Sequence, residues 1–118
     1  MDYAVCCGPL HHGERPAVTA VALMRSRFTA FALGDVRYLL ATWHPRTRPA
    51  DLDLDLDFVW RRLQIVDTEA GGEEDQAGVV QFRAQYVQGG GRHILHERSR
   101  FTRSRDGRWL YVDGEFVE

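Results

Sequence analysis

Hydrophobic positions between residues 14 and 34 recur at the spacing of a single helical face. They are Ala17, Ala20, Val21, Met24, Phe28 and Phe31. Positions three or four residues apart are typical of an amphipathic helix with one buried side. Pro16 suits the first turn of a helix, and Gly34 suits the position just past its end. The pattern therefore predicts a helix over residues 14–34.

A second, shorter helix is predicted over residues 36–43. Asp35 can cap its first turn, and Pro45 ends it because the residue before a proline is displaced from helical geometry. Residues 46–57 include the run DLDLDLD. Aspartate is poor in strands, so this segment is expected to be a loop or a short helical turn.

Alternation of apolar and polar residues dominates the second half of the chain, as in half-buried strands. The predicted strands are WRRLQIVDT, VVQFRAQYV, HILHERSRFTR and RWLYVDG. In the second strand, Val80, Phe82, Ala84 and Tyr86 share one face. QGGG and RDG are turn signals between strands. Helices that precede a strand meander predict an α+β domain, with N-terminal helices packed on a curved antiparallel sheet of about four strands.

Composition and charge narrow the classes of function. The chain has 118 residues, which suits one domain, and its net charge of -2 gives no reason to expect nucleic acid or acidic lipid as a partner. All 15 basic residues are arginine, which excludes Schiff-base lysine chemistry and a P-loop. No apolar run approaches the ~18 residues that span a bilayer, and the N-terminal residues lack the charged start and apolar run of a signal peptide, so a cytoplasmic protein without a membrane partner is expected.

The N-terminal stretch YAVCCGPLHHG concentrates potential metal ligands. Adjacent cysteines rarely bridge each other, and in the cytosol they are more often free or metal-bound. Structural zinc takes four ligands, of which Cys6 and Cys7 supply two. His11 and His12 could complete the set, although the spacing fits no standard finger, or two chains could share a four-cysteine site. We expect no cofactor unless the zinc motif is completed upstream or by a second chain.

Glu97 is the most informative single residue in the strands. Alternation places Leu95, Glu97, Ser99 and Phe101 on the face expected to be buried, where an unpaired carboxylate is costly. In a structural interpretation, Glu97 pairs with Arg25 or Tyr38 from a helix. In a functional one, it is a general base in a pocket. The residues expected around that pocket are Arg25, Phe28, Tyr38, Trp43, His44, Glu97, Ser99 and Phe101.

Three apparent motifs do not hold up. HERSR lacks the second histidine of the zinc-protease motif, because Arg100 stands there. Counted from Asp51, DLDLDLD has Leu56 and Arg62 where a calcium-binding EF-hand needs glycine and glutamate. Ser99, His96 and Asp113 make an improbable triad, since a serine and a histidine three apart in a strand point to opposite faces.

Several stretches together resemble one family. They are CCGPLHHGERPAVTAVALMRSRFTAFALGDVRYLLATWHP, LQIVDTEAGG, HERSRF and DGRWLYVDGE, and they are similar to the YchJ-like family of bacterial proteins. The resemblance implies a nuclear transport factor 2-like (NTF2-like) domain, here expected over residues 14–118, and no established activity. Family members begin with a zinc-binding SEC-C motif. Tyr3, Cys6, Cys7, Gly8 and Pro9 match its second half, so residues 1–13 are expected to be a remnant of that motif.

The expected function is a non-catalytic module that binds a small molecule or acts as a protein adaptor. The alternative is a small isomerase, dehydratase or hydrolase that uses Glu97 or His44 as a base. Nucleic-acid binding through the arginine-rich strands is not expected, because Phe101 does not share a face with Arg98 and Arg100. A monomer and a homodimer are both compatible with the sequence.

Overall fold

Two helices and four strands make up the computed structural model, which describes residues 17–52, 54 and 58–117. In chain order they are α1 (Ala20–Leu33), α2 (Val36–Ala41), β1 (Val59–Ala70), β2 (Ala77–Gln88), β3 (Gly91–Arg103) and β4 (Trp109–Phe116). The strands form one antiparallel sheet in the order β1-β2-β3-β4. Helix α1 packs on one face of that sheet, so the predicted α+β architecture is confirmed.

Capping residues set both ends of α1. The Thr19 side chain accepts a hydrogen bond of 3.0 Å from the backbone N–H of Ala22, which stabilises the first turn. Gly34 closes the helix with φ of 73°, a left-handed conformation that glycine adopts without strain. The helix therefore begins at Ala20, later than the predicted residue 14, and Pro16 lies outside the described residues.

Helix α2 also begins at its predicted cap. Asp35 accepts a hydrogen bond of 3.1 Å from the backbone N–H of Tyr38. The prediction that the helix extends to Trp43 is wrong, because the helix ends at Ala41.

The segment after α2 leaves helical geometry to pair with the sheet. The backbone N–H of Tyr111 in β4 donates to the carbonyl of Thr42 at 2.8 Å, and the N–H of His44 donates to the carbonyl of Tyr111 at 2.7 Å. Trp43 thereby forms a parallel bridge with Tyr111. These bonds satisfy backbone groups on the edge of β4 and hold the Trp43 ring against the sheet.

The β2–β3 hairpin turns on two glycines, as QGGG predicted. Gly89 and Gly90 have φ of 58° and 79°, and two positive φ values are what a two-residue type I′ turn requires. Register irregularities lie in β1, between Trp60 and Arg62 and again between Ile65 and Asp67. Extra residues of this kind bend a strand and increase its twist.

The main core lies between α1 and the inner face of the sheet. Its buried members are Ala17, Ala20, Leu23, Met24, Val80, Phe82, Ala84, Phe101 and Trp109. Val80, Phe82 and Ala84 confirm the alternation predicted for β2. A smaller cluster of Ala30, Tyr38 and Leu39 joins the two helices.

The start of α1 touches the sheet through two glycines. The N–H of Ala20 donates to the carbonyl of Gly71 at 2.9 Å. A Cβ atom on Gly78 would lie 2.5 Å from the Cα of Gly71 and 3.4 Å from the Cβ of Ala20. Backbone atoms set the first of these distances, so no side-chain rotation can relieve the clash.

We therefore expect Gly78→Ala to lower the free energy of unfolding by about 1–3 kcal/mol, the usual cost of overpacking. The measurement is urea-induced unfolding of the variant beside the wild type. Gly72→Ala is the matched control, because its added Cβ would make only an ordinary 3.4 Å contact with Asp75. A Gly78→Ala protein as stable as Gly72→Ala would contradict the close approach.

Candidate functional site

A cavity of about 310 Å³ lies between the helices and the inner face of the sheet. Its walls are Met24, Arg27, Phe28, Phe31, Trp43, Phe58, Trp60, Phe82, Ala84, Leu95, Glu97, Ser99, Tyr111 and Phe116. All but four of these are apolar. The polar group of the cavity consists of the other four residues, Arg27, Glu97, Ser99 and Tyr111.

Arg27 is the cation of the polar group and is only 3% exposed. Its Nη1 donates to the carbonyl of Leu39 at 2.8 Å and to the hydroxyl of Thr42 at 2.7 Å. Both acceptors lie at the end of α2, where the last backbone carbonyls lack helical partners. Arg27 therefore ties α1 to the end of α2 and supplies a partner for the Leu39 carbonyl.

Two aromatic rings cover the Arg27 guanidinium. Its central carbon lies 5.1 Å from the centre of the Trp43 ring and 4.7 Å from that of Tyr111. The two rings also meet edge to face, with centres 5.1 Å apart. Cation–π attraction offsets part of the cost of burying the charge, and burial lowers the pKa of Arg27 to about 10. The side chain is therefore still a cation at neutral pH.

Glu97 is the acid of the polar group. Its Oε2 accepts a hydrogen bond of 2.6 Å from the hydroxyl of Ser99, which is fully buried. The carboxylate lies over Gly114 on β4, where an added Cβ would come within 2.7 Å of its Cδ. Among the described residues, no cation lies within 4.0 Å of this carboxylate. Ser99 and the gap above Gly114 therefore position Glu97.

Tyr111 completes the polar group. Burial raises the pKa of its phenol to about 12, the negative charge of Glu97 adds to the shift, and the positive charge of Arg27 opposes it. The phenol is therefore a neutral hydroxyl that can donate or accept a hydrogen bond.

Aromatic rings dominate the opposite end of the cavity. Phe28 and Phe31 from α1 meet Trp60 with ring centres 6.0 Å and 6.1 Å apart. Phe58 stacks on Tyr86 at 4.7 Å, with the ring planes 5° apart. Phe116 is 76% exposed while also lining the cavity, so it lies where the cavity meets solvent.

Four of the residues expected around the pocket line this cavity. They are Phe28, Trp43, Glu97 and Ser99. Phe101 lies on the same face of β3 as Glu97 and Ser99, but it is buried in the main core and only 2% exposed. His44 lies beyond Trp43, and its backbone pairs with β4.

The two partners suggested for Glu97 lie elsewhere. Arg25 is on the exposed side of α1, and the Tyr38 hydroxyl shares a 2.7 Å hydrogen bond with Ser26. The arginine near Glu97 is Arg27, two residues further along the helix and so about 200° around it. Sequence reasoning missed it because charged residues are rarely buried. A signal was present, since Arg27 is three residues from Met24 and four from Phe31 on the buried stripe.

Potential metal ligands do not converge in the part of the chain that the structure describes. No group of three or more histidine, cysteine, aspartate or glutamate residues is placed to hold a metal ion there. Cys6 and Cys7, with His11 and His12, lie outside the described residues.

The outer face of the sheet carries paired charges. Arg98 lies 3.3 Å from Asp67 and 2.9 Å from Glu69, and Arg100 forms a bidentate pair with Asp113. These acids compensate the charge of the two arginines. No helix within residues 17–52 or 58–117 is long and apolar enough to cross a membrane.

Helices laid across an antiparallel meander, with a cavity between the layers, define an NTF2-like domain. The family model described as "YchJ, middle NTF2-like domain" matches residues 19–114, and the chain belongs to this family. It is 56% identical to a UPF0225 protein of Streptomyces coelicolor, over 99% of this chain and 90% of the relative. It is 52% identical to one of Chromobacterium violaceum, over 96% and 86%.

Two solved structures share the fold. A SEC-C motif containing protein from Rhodopseudomonas palustris has a TM-score of 0.85 and 36% identity, covering 98% of this chain and 92% of the other. A second, from Psychrobacter arcticus, has a TM-score of 0.80 and 26% identity, covering 100% and 74%. The overall fold is thus shared with proteins of 36% and 26% sequence identity.

The raised pKa of Tyr111 predicts a pH dependence that Tyr111→Phe removes. The folded protein holds the phenolic proton between the ordinary pKa of 10.0 and about 12, so this contribution to stability is complete below pH 10 and is lost as pH rises towards 12. The opposite trend expected from Arg27 occurs in both proteins and is stronger in the variant, which lacks the Tyr111 charge that raises the pKa of Arg27. Relative to the variant, the wild type should become less stable across this window in urea unfolding.

Absorbance at 295 nm gives an independent reading of the same group. The difference between wild-type and Tyr111→Phe titrations should show one phenol with a midpoint near pH 12. A midpoint at the ordinary value for tyrosine would contradict the buried setting of this hydroxyl.

Proposed function

We propose that the domain binds a small, largely apolar molecule in the cavity without transforming it. The observation that carries the proposal is a cavity in which one wall bears a preorganised polar group and the remaining walls bear rings. Binding sites for small molecules are typically concave and mostly apolar, with a few placed polar groups. A volume of about 310 Å³ is at the small end of their range.

The cost of the polar group supports a binding role. Arg27 and Ser99 are buried, although an apolar side chain would fill either position without a desolvation cost. The indole N–H of Trp43 is buried and, within the described part of the chain, has no acceptor. An unpaired buried donor costs about 1–3 kcal/mol. Stability given up around one cavity is typical of a functional site.

A catalytic role is the second candidate, favoured by the setting of Glu97. Its carboxylate lines the cavity and is bonded to Ser99 rather than ion-paired with Arg27. A carboxylate with a free oxygen in an apolar cavity can remove a proton from a bound molecule. Isomerases and dehydratases require such a step.

The binding role is tested with 2-methoxynaphthalene, an uncharged aromatic probe. We expect saturable shifts of backbone amide signals in NMR spectra, concentrated on the cavity walls. Leu95→Phe, which adds volume inside the cavity, should weaken binding by about tenfold. Ile94→Phe is the matched control, because Ile94 is the neighbouring residue, is 60% exposed and points away from the cavity.

Absence of saturable binding of 2-methoxynaphthalene, of 2-naphthol and of 2-naphthoate by the wild type would refute the binding role. So would equal affinities of the Leu95→Phe and Ile94→Phe proteins, provided that both give the dispersed NMR spectrum of a folded domain.

The catalytic role is tested with 2-tetralone, a bicyclic ketone whose acidic C–H groups exchange with deuterium when a base removes a proton. Glu97 acting as a base would accelerate exchange above the buffer rate, and Glu97→Gln would abolish the acceleration. Equal exchange in wild type, Glu97→Gln and buffer would exclude Glu97 as a base towards this class of substrate.

A further inference from the structure

We infer that the cavity selects an uncharged aromatic alcohol of about two fused rings, with its hydroxyl donating to Glu97. This inference rests on the proposed binding function and names its class of ligand. Three observations support it: the volume and ring-lined walls of the cavity, the balance of charge in the polar group, and the open oxygen of Glu97.

The cavity volume sets the size of the ligand. An apolar cavity of about 150 Å³ accepts benzene, and this cavity of about 310 Å³ is roughly twice as large. Eight of its walls are aromatic: Phe28, Phe31, Trp43, Phe58, Trp60, Phe82, Tyr111 and Phe116. Flat rings pack well against ring faces and edges, so a two-ring aromatic body fits the available space.

Charge balance sets the charge of the ligand. Arg27 and Glu97 contribute one positive and one negative charge to the polar group, which is therefore neutral overall. A carboxylate ligand would meet the repulsion of Glu97. An ammonium ligand could pair with Glu97, but it would meet the repulsion of Arg27 and lose the hydration of its charge. An uncharged molecule meets neither and has a smaller desolvation cost.

The open oxygen of Glu97 sets the direction of its own bond to the ligand. The Arg27 Nη1 already donates to Leu39 and Thr42, and rings cover the guanidinium faces. Glu97 Oε2 accepts from Ser99. Within the described residues Oε1 has no hydrogen-bond partner. It is accessible and is not one of the buried polar atoms that lack a partner. A carboxylate oxygen only accepts, so a ligand group that bonds to Oε1 must be a donor.

Gly114 is the positioning residue for this acceptor. The Glu97 side chain lies within 2.7–3.0 Å of where a Cβ of residue 114 would stand. Gly114 does not have a positive φ, so alanine is tolerated by the backbone there. Gly114→Ala therefore displaces the carboxylate without straining the strand.

The experiment compares three naphthalenes that differ only in their polar substituent, using NMR titration at neutral pH. 2-Naphthol is an uncharged donor, 2-methoxynaphthalene lacks the donor, and 2-naphthoate is an anion. Wild-type protein should bind 2-naphthol at least about tenfold more tightly than either of the others, a difference of about 1.4 kcal/mol.

Three variants test whether the preference for 2-naphthol depends on Glu97. Glu97→Gln should reduce the preference for 2-naphthol over 2-methoxynaphthalene and strengthen binding of 2-naphthoate, because Arg27 is then unbalanced. Gly114→Ala should reduce the same preference while still binding 2-methoxynaphthalene, which shows that the domain is folded. Gly72→Ala, at a distant turn, is the control and should keep the wild-type preference.

The outcomes separate this inference from the binding function. If 2-methoxynaphthalene binds as tightly as 2-naphthol, or 2-naphthoate binds more tightly than both, the inference is overturned and the binding function stands. An unchanged preference in Glu97→Gln also overturns it. If none of the three probes binds, the proposed binding function fails as well.

Discussion

The burial of the Arg27 guanidinium holds together the place where α1, the end of α2 and β4 meet. Arg27 joins α1 to the end of α2 by two hydrogen bonds, and its faces are covered by Trp43 from the segment after α2 and by Tyr111 from β4. A buried charge is tolerated only where its donors and its field are satisfied. Both helices and the last strand therefore meet around Arg27, and the cavity has a polar wall where an apolar core could have closed.

That polar wall costs stability relative to an apolar core. Filling the cavity with side chains would add apolar burial, and replacing its polar residues with apolar ones would remove desolvation costs. The chain instead keeps Glu97 on Ser99 and leaves Gly114 without a side chain beneath the carboxylate. The surrounding rings come from α1, from the strands and from the residue just before β1, so the cavity depends on the whole fold rather than on one motif.

Two solved structures share the overall architecture of this domain. Structures with 36% and 26% identity retain the same architecture, because helices on an antiparallel meander require only a consistent apolar pattern and suitable turn residues. In this chain, Gly34 and the Gly89–Gly90 turn supply such turn conformations, and Gly71 and Gly78 allow a close backbone approach. The polar group is more demanding, since it depends on individual side chains meeting at hydrogen-bonding distance.

Local chemistry explains which features the sequence determined by itself. Helical periodicity, the caps at Asp35 and Gly34, strand alternation and the glycine turn depend on neighbouring residues, and they were sufficient for the α+β order of elements. The inward orientation of Glu97 and Ser99 followed from the alternation of side chains between the two faces of a strand. Residues 1–13, with Cys6 and Cys7, stay at the level of prediction.

Tertiary structure decided everything that depends on distant residues meeting. Helical periodicity alone did not show whether Arg27 would be buried, because the partners that satisfy it come from α2 and from β4. The end of α2 depends on the pairing of the next residues with β4, whereas the local Thr19 cap sets the start of α1 and the bond from Ala20 to Gly71 reinforces it. Burial, charge compensation and cavity shape arise from contacts between elements, which the order of residues along one element does not specify.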